Sequence, residues 1–108
     1  MTTASERYNH AEQLKDSGKI DEAEVALRGL IQDEPEHVLS HLAIARIYTA
    51  LGQHELAIKH AEKACEIEPT EGFNYTLLSV TYQRAYAGTG DQGYIRLAED
   101  AMARSRML

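Results

Sequence analysis

Residues of three kinds recur at one spacing along this chain. Gly18 returns as Gly52, Ala23 as Ala57 and Pro35 as Pro69, each 34 residues on, and Leu14 is followed at the same interval by Tyr48 and Tyr82. That interval is the length of a helix–turn–helix unit, and one such unit cannot bury its own apolar face without a neighbour stacked against it. The chain is therefore expected to fold as a short all-α solenoid, an object that works by surface rather than by reaction.

The rest of the composition narrows this further. At 108 residues the chain is long enough for one domain with a continuous core between stacked helices. Its two prolines fall in expected inter-helix turns, and Ala, Glu and Leu are abundant, which favours helix over strand. The net charge of -6, with no local basic stripe, argues against a grip on nucleic acid or anionic lipid, both of which need clustered Lys and Arg. A single cysteine, Cys65, cannot form an internal disulfide, as suits a reducing compartment. The segment Met1 to His10 is polar and unlike a signal peptide, and no stretch reaches the roughly 20 apolar residues of a membrane span. These features together predict a soluble, cytoplasmic protein.

The pattern divides residues 1–108 into three units of one domain, about 4–37, 38–71 and 72–108. In the first, Thr3 and Glu6 form a candidate capping box. Tyr8, Ala11 and Leu14 then recur at helical spacing up to Gly18, and a second helix carries Ile20, Ala23, Leu27, Leu30 and Ile31 to Pro35. The second unit repeats this with Leu42, Ile44, Ala45 and Tyr48, then Ala57, Ile58, Ala61, Ala64 and Ile67 before Pro69. In the third, Tyr75, Leu78, Ser79 and Tyr82 stay in step, but Tyr86 stands where a glycine is due. Its first helix is expected to run to about Ala87 and its second to begin at Asp91 as N-cap. Restoring the pattern on Ala98, Met102 and Ser105 implies an irregular hairpin with an insertion of about seven residues. In that register the positions of Ile58 and Cys65 become Glu99 and Arg106, a polar outer face on which an array of three units would end.

The signature positions resemble those of the tetratricopeptide repeat: His41, Ile44, Ala45, Tyr48, Ala57, Ala61, Ala64 and Pro69 in the second unit, and Arg7, His10, Ala11, Leu14, Ala23, Leu27, Leu30 and Pro35 in the first. The resemblance covers essentially the whole chain. It implies a right-handed superhelix of antiparallel helix pairs whose first helices line a concave groove that receives a peptide or a helix. Members that grip a C-terminal carboxylate place Lys, Asn and Arg where this chain has Tyr8, Glu12, Ala43, Phe73 and Leu77, so that clamp is not expected here.

The motifs that suggest chemistry have plainer explanations. Gly88-Thr89-Gly90-Asp91-Gln92-Gly93 spells G-x-G-x-x-G, but dinucleotide binding needs a preceding strand and a βαβ unit, whereas a helix precedes it here. An inter-helix turn explains the glycines better. His37 and His41 stand at the i, i+4 spacing of two metal ligands without a third partner. The expectation is surface placement for His37, His54 and His60 and partial burial for His10 and His41. Cys65 is read as a small buried hydrophobe. No constellation of base and nucleophile suggests catalysis, and no cofactor is implied.

The favoured function is that of a non-catalytic interaction module. The resemblance places Tyr8, Glu12, Leu39, Leu42, Arg46, Phe73, Leu77, Val80 and Arg84 on the groove, with Leu39, Leu42, Phe73, Leu77 and Val80 as an apolar floor. Arg46 and Arg84 edge one side of that floor; Glu12 and Asp16 edge the other. The expected partner is a protein or peptide presenting an apolar segment. The alternative is a homodimer, or larger assembly, that uses the same surface for self-association.

Overall fold

A computed structural model describes residues 2–108. The helices run α1 (Ala4–Asp16), α2 (Ile20–Asp33), α3 (Val38–Ala50), α4 (His54–Ile67), α5 (Gly72–Thr89) and α6 (Gly93–Arg106), and no strand occurs among the described residues. Each odd-numbered helix packs back on the even-numbered one that follows it, and successive pairs stack into an array 43 × 28 × 20 Å across. No helix among the described residues is long and apolar enough to cross a membrane.

Local chemistry sets the boundaries. The Thr3 hydroxyl accepts a hydrogen bond from the Glu6 amide and donates one to the Glu6 carboxylate, both at 3.1 Å, so this N-cap joins the two residues of the expected box. Gly18 and Gly52 take φ of +82° and +74°, the left-handed conformation that ends a helix at low cost only in glycine. Around them the same bonds recur: the Lys19 amide donates to the Leu14 carbonyl and the Gln53 amide to the Tyr48 carbonyl, each at 2.8 Å. The 34-residue echo is thus an echo of turn geometry.

The core forms in two clusters. Ala23, Leu27, Ile44, Ile47 and Tyr48 close the junction between the first two pairs, and Ala45, Ala61, Cys65, Leu78 and Tyr82 close the next. Ala57, Ala61 and Ala64 are fully buried, which lets α4 lie close against its neighbours. Fully buried Asn74 satisfies itself by donating to the carbonyls of Ala64 and Glu68, tying the start of α5 to the end of α4.

The third pair departs from the sequence expectation. Helix α5 is regular through Tyr86 and ends at Thr89, giving it 18 residues where α1 and α3 have 13. The turn 90–92 is as short as the turns 17–19 and 51–53, so the added length lies in the helix and the hairpin itself is not irregular. Gly90, at φ +75°, is the terminator that Tyr86 failed to supply. Helix α6 begins at Gly93 with Gln92 as its N-cap, not at Asp91. The Asp91 carboxylate accepts from the Gly93 amide at 2.9 Å, an Asx turn just ahead of the helix.

The packing phase of α6 also differs. Ala98 and Ala101 are buried as Ala61 and Ala64 are, 37 residues earlier, whereas Met102 and Ser105 are only half-buried. The insertion in packing register is therefore three residues and not seven, and the counterparts of Ile58 and Cys65 are Ile95 and Met102 in place of Glu99 and Arg106. A shift of four residues is one helical turn and nearly preserves the apolar stripe.

Candidate functional site: the concave face

The first helices of the three pairs place most of the expected residues together. Tyr8 and Glu12 stand one turn apart on α1, half-buried; Leu39 and Arg46 lie exposed on α3; and Phe73, Leu77, Val80 and Arg84 follow one stripe of α5. Contacts bridge the helices. The Arg46 guanidinium sits over the Phe73 ring, 5.8 Å from its centroid, a cation–π arrangement that holds the exposed ring in place. The phenol of Tyr8 is held above its ordinary value of 10.0, by burial first and by the Glu12 carboxylate second, while Arg46 pulls the other way. Tyr8 also lies against the His37 ring at 5.9 Å. Arg46 is therefore central to the surface and does not edge it.

Glu12 is divided between two environments. One oxygen accepts from Lys15 at 3.2 Å, while Oε1 is buried without a hydrogen-bond partner among the described residues. A buried carboxylate oxygen left without a donor costs stability.

Beside this network, at the N-terminal ends of α3 and α5, a cleft of about 560 Å³ opens between His37, Val38, Leu39, Leu42, Phe73 and Asn74, with the carboxylates of Glu36, Glu68 and Glu71 also on its lining. Leu39 and Phe73 stand at its rim, 53% and 52% exposed. Leu42 does not join them. At 4% exposed it forms the base of the cleft and belongs to the core, as does Ala43, because α3 is flanked by helices on three sides. Leu77 is half-buried and Val80 exposed.

The remaining candidates resolve as follows. His37 bonds Ser40 at 2.7 Å, and His41 is buried, with its Nε2 donating to the Pro35 carbonyl at 2.8 Å. With that nitrogen protonated, His41 Nδ1 accepts from His60 Nδ1 at 3.0 Å, so the two rings form a neutral pair stacked further on Tyr48. Burial, then the proximity of His41, lowers His60 to about 4. His60 is thus half-buried and not on the surface, contrary to the expectation from sequence. His54 and His37 are also half-buried, while His10 is exposed. No group of three His, Cys, Asp or Glu side chains suited to a metal occurs among the described residues. Burial raises the Cys65 thiol to about 11, as befits a packed and unreactive group. In the glycine motif, a Cβ at Gly88 would collide with the His54 imidazole and Gly90 caps α5, so both glycines have packing or turn roles.

Stacked helix pairs with terminator glycines, alanine contacts and a concave face of first helices carry the family's architecture. The family model described as tetratricopeptide repeat matches residues 14–75, more than half of the chain. The chain belongs to the tetratricopeptide repeat family. No curated protein matches it. Tetratricopeptide repeats generally mediate protein–protein interaction and are typically non-catalytic modules, which directs attention to the concave face.

Proposed function

We propose that this tetratricopeptide protein is an adaptor that holds an apolar segment of a protein partner, helical or extended, on its concave face. The observation that supports this most is the pair of half-exposed apolar side chains, Leu39 and Phe73, at the rim of the cleft between α3 and α5. Large side chains gathered at a concavity are more costly to leave in water than the same residues scattered, and they mark interaction surfaces. The partner's apolar side chains enter the cleft over Leu42. Leu77, Val80 and Arg84 extend the contact along α5.

The test is capture from the native host with the wild type and with Leu39→Asp/Phe73→Asp. Both positions are exposed, so helicity should persist. Loss of 1.5–3 kcal/mol per buried side chain, on the order of a hundredfold or more together, should remove the partner. Undiminished capture by the double variant would sink the reading. Size measurement over a range of concentrations addresses the other use of the surface: a dimer that these substitutions dissolve would replace the adaptor by an assembly protein.

A further inference from the structure

The cleft between the starts of α3 and α5 joins an apolar rim to an anionic wall. Leu39 and Phe73, exposed at the rim, stand 34 residues apart and hold the same place in their respective pairs, where the first pair has Ser5. The apolar anchor is thus confined to the gap between α3 and α5. Around it the cleft is lined by three carboxylates, those of Glu36, Glu68 and Glu71, and by no lysine or arginine.

Nothing within the chain neutralises these three charges. The ion pairs among the described residues lie elsewhere, at Arg7–Asp33, Lys15–Glu12, Arg28–Glu24 and Lys63–Glu66. Arg46, the cation over the Phe73 ring, is outside the cleft lining. Glu71 is the N-cap of α5 and accepts from the Phe73 amide at 3.3 Å, which fixes its carboxylate beside the exposed ring. Like charges around an apolar concavity give it a negative potential, which attracts a cationic segment and repels an anionic one.

We propose, on the footing of the adaptor reading, that the partner segment held in this cleft is cationic as well as apolar. An aliphatic or aromatic side chain of the partner enters over Leu42 between Leu39 and Phe73, and lysine or arginine side chains flanking it in sequence reach Glu36, Glu68 and Glu71. The apolar side chain supplies most of the affinity. The flanking cations decide which apolar segments are accepted, since exposed charges act on selectivity and encounter more than on strength. A second copy of this chain is a poor occupant, because at a net charge of -6 it is repelled at long range.

The experiment titrates the isotope-labelled full chain, at low salt, with three synthetic peptides that share Leu-Phe-Leu and differ in their flanks: Ac-KKLFLKK-amide, Ac-SSLFLSS-amide and Ac-EELFLEE-amide. Amide shifts centred on Leu39, Phe73 and Asn74 are expected. The lysine peptide should bind roughly tenfold more tightly than the serine peptide, as for three exposed ion pairs, and should lose that advantage at high salt. The glutamate peptide should bind more weakly than either. The triple variant Glu36→Gln/Glu68→Gln/Glu71→Gln changes exposed positions only and keeps an acceptor oxygen at each, so helicity by circular dichroism should persist. It should reduce the lysine peptide to the affinity of the serine peptide and leave the latter unchanged. Equal binding of the three peptides, weakened by Leu39→Ser/Phe73→Ser, would overturn the charge assignment and leave the concave site standing; so would a triple variant that keeps the preference for lysine. Absence of shifts at millimolar peptide, or shifts confined to another face, would overturn both. A dimer of the free chain that Leu39→Ser/Phe73→Ser dissolves would put a second copy in the cleft and overturn the cationic partner.

Discussion

Removing the His41–His60 pair should make this protein markedly less sensitive to mild acid. His60 faces His41 across the α3–α4 contact, stacks on Tyr48, and shares the surrounding cleft with Lys59, Lys63, Glu62 and Glu66. Burial is the main force that lowers its folded value to about 4, from 6.5 for an exposed ring; the His41 ring and Lys59 add to it. The unfolded chain therefore binds the proton first, and over the window between those values stability declines as the pH falls. The pair's full contribution is present above pH 6.5 and is lost as the pH falls through about 4. At about 1.4 kcal/mol per unit the displacement corresponds to about 3 kcal/mol. The ring borders an open cleft, so screening by water reduces this to about 1–2 kcal/mol. The assay is urea denaturation of the wild type and of His60→Gln at intervals from pH 7.5 to 4.5. The wild type should lose about 1–2 kcal/mol more than the variant across that range. Parallel curves would refute the assignment of a neutral, burial-shifted pair.

Three further outcomes follow from the packing. Ala61→Leu should cost roughly 1–3 kcal/mol by thermal denaturation, since a fully buried alanine sets the distance between α4 and its neighbours; an unchanged melting temperature would show slack at that contact. Gly90→Ala should destabilise by about 1–2 kcal/mol because φ is +75° there, and neither ATP nor NAD should raise the melting temperature; a ligand-dependent rise would revive a nucleotide role for the loop. Tyr82→Phe should cost about 1 kcal/mol through the lost bond to Glu62, and pairing it with Glu62→Ala should add little more.

The parts of the fold legible in the sequence are those whose residue type is dictated by backbone geometry or close contact. Gly18 and Gly52 announce left-handed caps, Pro35 and Pro69 follow closely on helix ends, and Ala57, Ala61 and Ala64 mark a crowded helix contact. What was misread involves position along a helix or proximity across helices. In α6 a register one turn out keeps nearly the same apolar stripe, so Glu99 and Arg106 stood in for Ile95 and Met102 and the end face looked polar. Leu42 lies on the concave side of α3, but that helix is enclosed by its neighbours. The segment Val38 to Tyr48, apolar except at Ser40, His41 and Arg46 and free of acidic residues, is the available sign. His41 and His60 meet from separate helices, 19 residues apart, and no local spacing reports such a pair.

The concave face is tested most directly by placing a photo-reactive benzoylphenylalanine at Phe73, and in a parallel protein at exposed Lys59 on α4, and irradiating each in the native host. A discrete adduct with one partner protein from position 73, absent from position 59 and suppressed by Leu39→Asp, is the predicted result. Adducts from position 59 alone, or adducts from position 73 that Leu39→Asp leaves untouched, would contradict the assignment of this surface as the partner site.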